Sequence, residues 1–269
     1  MSTPAALIDW SQPWLKPFRV LGQRLSAAGD WRLALNTLAQ ERGICNYQGL
    51  PISFVAQAEL PAATAYEAFI GNSGKVPTRD NLHDFLNALI WLSFPTIKAR
   101  LNALQAAELA KAGTLSGSSK PRGAARDAAT IFDENAALLL VQDNAAGHAL
   151  IAALRQHLWQ QVFIEHGPMF ARDAEVWLFG HALLEKLVRP YKAITAHTLV
   201  ISVPESYFGL GDEAKRGWID QHVAADLTQQ DALIGRLTPL PVLGVPGWSR
   251  DQDQDFYADA AVFRPKRSR

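Results

Sequence analysis

Thr78-Arg-Asp-Asn-Leu-His-Asp-Phe-Leu-Asn-Ala-Leu-Ile-Trp-Leu-Ser-Phe-Pro95, continuing through Lys98-Ala-Arg-Leu-Asn102, is the stretch that decides how this chain is read. Its apolar spacing predicts a helix, and about 100° of rotation per residue gathers Asp80, His83, Asp84 and Asn87 in one arc, with Trp91 a turn later. Leu82, Phe85, Leu86, Leu89, Ile90 and Leu92 fill the rest of the circumference. A solvated face is normally built from Lys, Glu, Arg or Gln, which favour helix; Asp, Asn and His favour it less. Polar residues of that kind on an otherwise apolar helix mark a site. Pro95 then breaks or kinks the helix, which resumes over Thr96–Lys111.

Outward from this helix, Trp14–Ser26 and Asp30–Glu41 have helical spacing, with Asp30 as N-cap. Ile52–Ala56 alternates like a strand, Pro61 opens a short helix through Phe69, and Gly71–Pro77 reads as a turn. Residues 112–121, rich in Gly and Ser, are expected to form a flexible loop. Beyond it come a helix over Ala124–Phe132, a strand over Leu138–Gln142 and a helix over Gly147–Val162. A strand over Glu175–Phe179 runs into a helix over His181–Val188, followed by a strand over Thr198–Val203 and a helix over Asp212–Leu227. The last forty or so residues are loop-like. The expected fold is α+β, mainly helical with a few short strands, in a single globular domain.

Composition narrows the function classes. Of 269 residues 48% are hydrophobic and 19% charged, so the chain is globular rather than disordered. Its 26 basic and 26 acidic residues cancel, so no global field draws it to nucleic acid or an anionic membrane. Basic and aromatic residues do not interleave as on a single-strand platform. The basic end Arg264–Arg269 is read as a solubilising tail. Cys45 is the only cysteine, which excludes an intramolecular disulfide and a cysteine-rich zinc site, and fits a reducing cytoplasm. No run of about 18 uncharged apolar residues exists, and the first residues lack signal-peptide order. Trp91, Trp177 and Trp218 read as core.

The motifs also carry a resemblance. Val76-Pro-Thr-Arg-Asp-Asn-Leu-His-Asp-Phe-Leu-Asn-Ala-Leu-Ile-Trp91 with Phe94-Pro95, Lys98 and Leu101-Asn102 is one block. Arg122-Gly-Ala-Ala-Arg-Asp127 with Phe132-Asp-Glu-Asn135 is a second. Phe179-Gly-His-Ala-Leu-Leu-Glu-Lys186 with Pro190-Tyr-Lys192, and Pro239-Leu-Pro-Val-Leu-Gly-Val-Pro-Gly-Trp248, complete the set. Together they resemble a bacterial domain-of-unknown-function family, the one numbered 3025. That resemblance implies a bacterial protein of one continuous domain and supplies no activity.

The chemistry is therefore argued from residues. His181 and Glu185 lie four apart on a helix and reach one point, as do His83 and Asn87. With Asp133 and Glu134 at a helix-to-strand turn, His83, Asp133, His181 and Glu185 form a candidate metal set for zinc, manganese or iron, with Asp84 and Glu134 as candidate catalytic carboxylates. The plain alternative has His181 donating to a backbone carbonyl and Glu185 pairing with Lys186 or Arg189. A basic set, Lys75, Arg79, Lys98, Arg100, Arg122 and Arg126, flanks the same motifs. Arg79, Asn87, Arg122 and Arg126 are the candidate ligands for a small phosphate- or carboxylate-bearing substrate, unless Arg126 pairs internally with Asp133 or Glu134. The expected function is a metal-assisted hydrolase acting on such a substrate. The alternatives are a non-catalytic module binding an anionic ligand or protein partner, and a buried polar network that only specifies the fold. Nucleophile elbows, P-loops and dinucleotide fingerprints are absent. Oligomeric state leaves no mark in the sequence.

Overall fold

The computed structural model describes residues 4–114, 124–228 and 233–266, the side chains of 111–114 apart. Helix α1 spans Arg19–Ser26, preceded by a tighter turn over Pro13–Phe18, where Pro13 and Pro17 withhold N–H donors. Helix α2 spans Trp31–Glu41, and the Asp30 carboxylate accepts from the Leu33 N–H at 2.9 Å, as the sequence predicts. Strand β1 spans Ser53–Ala56 and helix α3 spans Tyr66–Ser73. The chain then differs from the expected turn, because Lys75–Thr78 forms strand β2, parallel to β1. Pro77 is tolerated because this sheet has only two strands, so each strand has an edge that needs no donor.

Helix α4 spans Leu82–Ser93 and stops at Phe94; Pro95 opens α5, Pro95–Thr114. The α5 N-terminus is capped from a distance: Asp220 accepts from the Thr96 and Ile97 N–H groups at 3.0 and 2.9 Å. Of the expected loop at 112–121, residues through Thr114 continue α5 and the remainder lies outside the described residues.

Helix α6, Ala124–Asn135, runs without a break into strand β3, Ala136–Gln142. Helix α7 is Ala145–Arg155, shorter than the spacing predicts, because His157 takes a left-handed backbone at φ 57° and ends the run. Strand β4 (Ala174–Leu178), helix α8 (His181–Lys186), strand β5 (Thr195–Val203), helix α9 (Asp212–Asp226), strand β6 (Thr238–Pro241) and helix α10 (Gln254–Ala258) complete the order. Neither β6 nor α10 is apparent in the sequence.

The larger sheet has the order β4-β3-β5-β6, with β3 antiparallel to β4 and parallel to β5. Ala136 to Val141 are all fully buried, which explains why β3 reads as a continuous apolar run rather than an alternating one. Strand β6, carrying Pro239 and Pro241, lies on the outer edge, where missing donors cost nothing. The fold is α+β and mainly helical. One contiguous apolar cluster runs from Ala5 to Phe263, and no helix among the described residues is long and apolar enough to cross a membrane.

Candidate functional site

Two junctions bring the polar motifs together. At the first, the chain leaves β4 at Leu178, opposite Ala137 of β3, and the Phe179 and Gly180 N–H groups both donate to the Ala136 carbonyl. This holds the start of α8 against the end of α6. Only glycine fits at position 180: an added Cβ would stand 2.5 Å from the backbone nitrogens of Asn135 and Ala136 and from the Glu134 carbonyl oxygen. The next side chain, His181, is buried, with Nδ1 2.9 Å from the Asp133 carbonyl oxygen.

At the second junction α4 packs on α8 and delivers His83. The turn before α4 is fixed by two side chains. Asn81 accepts from the Asp84 N–H at 2.8 Å, capping the helix. Asp84 in turn accepts from the Arg79 N–H at 2.6 Å and from its Nε and Nη2 at 3.0 Å each. This forked pair raises the Arg79 guanidinium above its ordinary value through the hydrogen bonds and charge of Asp84. Asp80, expected on the same arc, lies before the helix and pairs with Arg32 instead.

His83 and His181 meet. Their Nε2 atoms stand 3.2 Å apart, the rings nearly perpendicular at 77°. The other ring nitrogens fix the tautomers. A carbonyl oxygen can only accept, so His181 Nδ1 carries a proton. His83 Nδ1 lies 2.8 Å from Glu185 Oε2, and an ionised carboxylate also only accepts. Two neutral imidazoles held this way turn bare Nε2 lone pairs toward each other, an arrangement that requires a proton or a cation between them. Burial and the nearby Lys98 ammonium favour the neutral His181 ring, pushing it down to about 4 against the pull of Asp133.

The pair opens on a cavity of about 330 Å³. Asp84, Asn87, Asp133 and Glu134 line it, joined by Tyr66 and Glu67 from α3, Gln105 from α5 and Thr130 from α6. Beneath the wall, buried Lys98 donates to Asp133 at 2.5 Å and to Asn87 Oδ1 at 2.9 Å, and sits 5.4 Å above the Trp91 ring. Burial acts to raise the Asp133 carboxyl, but Lys98 and the imidazoles outweigh it and hold it below its ordinary value. Asn87 passes the chain on to the Tyr66 hydroxyl at 3.2 Å. Burial, with Asp133 nearby, raises Glu67, whose carboxylate also accepts from Asn102 at 2.7 Å.

The structure thus brings His83, Asp84, Asn87, Asp133, Glu134, His181 and Glu185 together, in roles that differ from those expected. Asp133 is engaged by Lys98 rather than by Arg126. His181 makes the carbonyl contact of the plain alternative, while Glu185 pairs with His83 and not with Lys186 or Arg189. Glu185 therefore supports an imidazole from behind. Among the described residues no group of three or more His, Cys, Asp or Glu is arranged to hold a metal. Arg79 lines the cavity but is committed to Asp84, Arg126 is not part of the wall, and Arg122 lies outside the described residues. Tyr66, Glu67, Gln105 and Thr130 were missed. Gln105 had a signal: it continues the buried row Ile97–Leu101 at four-residue spacing, where a polar residue is out of place.

The family described as protein of unknown function (DUF3025) matches residues 52–267. The chain belongs to that family. Both junctions of the DUF3025 site, and every residue of its cavity wall, fall within the matched span. No curated protein and no solved structure matches the chain.

Proposed function

We propose that this cavity is the active site of a hydrolase in which His83 and His181 hold a divalent cation, zinc, manganese or iron, between their Nε2 atoms. The observation that carries the reading is the 3.2 Å Nε2–Nε2 contact between rings whose Nδ1 atoms are both donors. Two imidazoles on one tetrahedral ion, each at roughly 2.0–2.1 Å, stand about 3.3–3.4 Å apart. Their backing also fits, since metal-bound imidazoles characteristically donate their other N–H to a carboxylate or a carbonyl, here Glu185 and Asp133. The surroundings favour a cation: Asp84, Asp133 and Glu134 line the cavity, while Arg79 and Lys98 are each already paired with a carboxylate.

A divalent ion here would act as a Lewis acid and lower the pKa of a water bound to it. Glu134, an exposed wall carboxylate without a hydrogen bond or ion pair among the described residues, would be the group to accept a proton from that water. Two protein donors leave the remaining positions to water and substrate. Lys98, Asn87 and Tyr66 hold the wall in shape. The setting is the bacterial cytoplasm, where an unpaired thiol such as Cys45 persists.

Titrating the metal-free protein with cobalt(II), read by visible absorption, tests this. A one-to-one endpoint is expected in the wild type and none in His83→Ala or His181→Ala. Glu185→Gln keeps the ligands but weakens their support, and should lower affinity about 10–100-fold. No spectral change in the wild type would leave the proton as the bridge, and the site as a metal-free acid–base pair.

A further inference from the structure

The block Pro239-Leu-Pro-Val-Leu-Gly-Val-Pro-Gly-Trp248 contributes nothing to the walls of the first cavity among the described residues. Its opening residues form β6. Side chains two apart on a strand share a face, so Pro239 and Pro241 present their pyrrolidine rings on one side of the sheet. Thr195 of β5 stands opposite Pro241 and shares that side. These three line a second cavity of about 680 Å³, which has no described lining residue in common with the first.

The remaining walls are held in place by their own contacts. Trp159 is buried, stacks on Phe163 with ring centres 6.1 Å apart and planes 11° off parallel, and packs beside His157, which also lines the cavity. Its indole Nε1 donates to the Arg264 carbonyl at 2.7 Å, which ties the returning chain at 261–266 to this wall. Arg264 Nε donates in turn to the Ala261 carbonyl at 2.9 Å, fixing the guanidinium from one side. Arg264 and Lys266 are both exposed and both line the cavity, so two positive charges stand beside an apolar surface of prolines, indole and Val262. Small-molecule sites have this make-up, with volumes of about 300–1,000 Å³ and a few polar groups that orient the ligand.

We infer that this second cavity binds a small hydrophobic carboxylate, its apolar body against Pro239, Pro241 and Trp159 and its charged end on Arg264 and Lys266. The apolar part supplies affinity in proportion to the area it removes from water. The cations select the anionic end, through charge-assisted hydrogen bonds that Arg and Lys both donate. The site is independent of the chemistry at His83 and His181.

Calorimetric titration of the full chain with 2-naphthoate and with laurate tests this, beside the neutral alcohol 2-naphthalenemethanol. One-to-one binding of at least one acid is expected, with the negative heat-capacity change that marks apolar burial. Arg264→Gln combined with Lys266→Gln should weaken it about tenfold and reduce its salt dependence, since each exposed ion pair is modest. Thr195→Trp places a large ring at an exposed strand position that accommodates it, and should fill the cavity and abolish binding with Tm unchanged. His83→Ala should bind the acid as the wild type does. Binding of neither acid, or binding that both cavity variants leave intact, would overturn the inference. So would equal affinity for the alcohol and 2-naphthoate, or binding lost in His83→Ala and kept in Thr195→Trp, which would place the acid in the first cavity.

Discussion

Replacing Lys98 by methionine probes the part of the structure on which the cavity wall depends. The Lys98 and Asp133 side chains are 6% and 12% exposed, so the substitution keeps the aliphatic stem but leaves a carboxylate in the interior with its cation gone. It also strips Asn87 Oδ1 of its donor. Breaking a buried pair from one side costs about 3–5 kcal/mol, because the orphaned charge retains its desolvation penalty without its compensation. Against a typical total of about 5–15 kcal/mol this is severe. Removing both charges is a different perturbation: Lys98→Met with Asp133→Leu leaves no orphaned charge, only Asn87 Oδ1 without its donor, and should recover most of the loss. The Asp133 carbonyl that orients His181 is main chain and survives either change. Urea unfolding followed by tryptophan fluorescence reads the result, with the slope checked so that a shifted midpoint reports stability. Lowering the pH should shrink the single-variant deficit, since Asp133 without Lys98 protonates more readily. A single-variant loss below about 1 kcal/mol, or a double variant no more stable than the single, would refute the reasoning.

Two further perturbations follow from the geometry. Gly180→Ala forces a methyl to within 2.5 Å of three backbone atoms, so it should cost about 1–3 kcal/mol or more and displace His181, measurable as lost stability together with lost cobalt absorption; a fully stable, metal-binding variant would contradict the close packing. In chelator-treated protein the His181 ring titrates near 4 in the fold and near 6.5 unfolded, so between those values the unfolded chain binds the extra proton. Stability should therefore fall by about 3 kcal/mol as pH drops from 6.5 to 4 and be level above 6.5, a slope that His181→Asn flattens. An unchanged slope in that variant would remove His181 as its source.

The helical character of the chain and the α4 site helix were legible because local chemistry and tertiary packing agree there. Asn87 and Asp84 stand out on an apolar helix, and the structure turns them to a cavity. The His181–Glu185 spacing placed both side chains near one point, and that point is His83. Partnership was not legible. Lys98 counted among the basic residues flanking the motifs, and nothing local says that it reaches Asp133 across 35 positions. Strands β2 and β6 contain prolines that local rules read as turns, and only the sheet edges explain them. Tyr66, Glu67, Gln105 and Thr130 sit on ordinary-looking helices, and their common wall exists only once α3, α5 and α6 are assembled.

The most direct measurement is the metal content of protein purified without chelators or a histidine tag, wild type beside His83→Ala and His181→Ala. About one equivalent of a divalent metal in the wild type, absent from both folded variants, is the predicted result. A wild type that holds none, even after incubation with zinc, manganese and iron, would contradict the account and leave the two imidazoles sharing a proton.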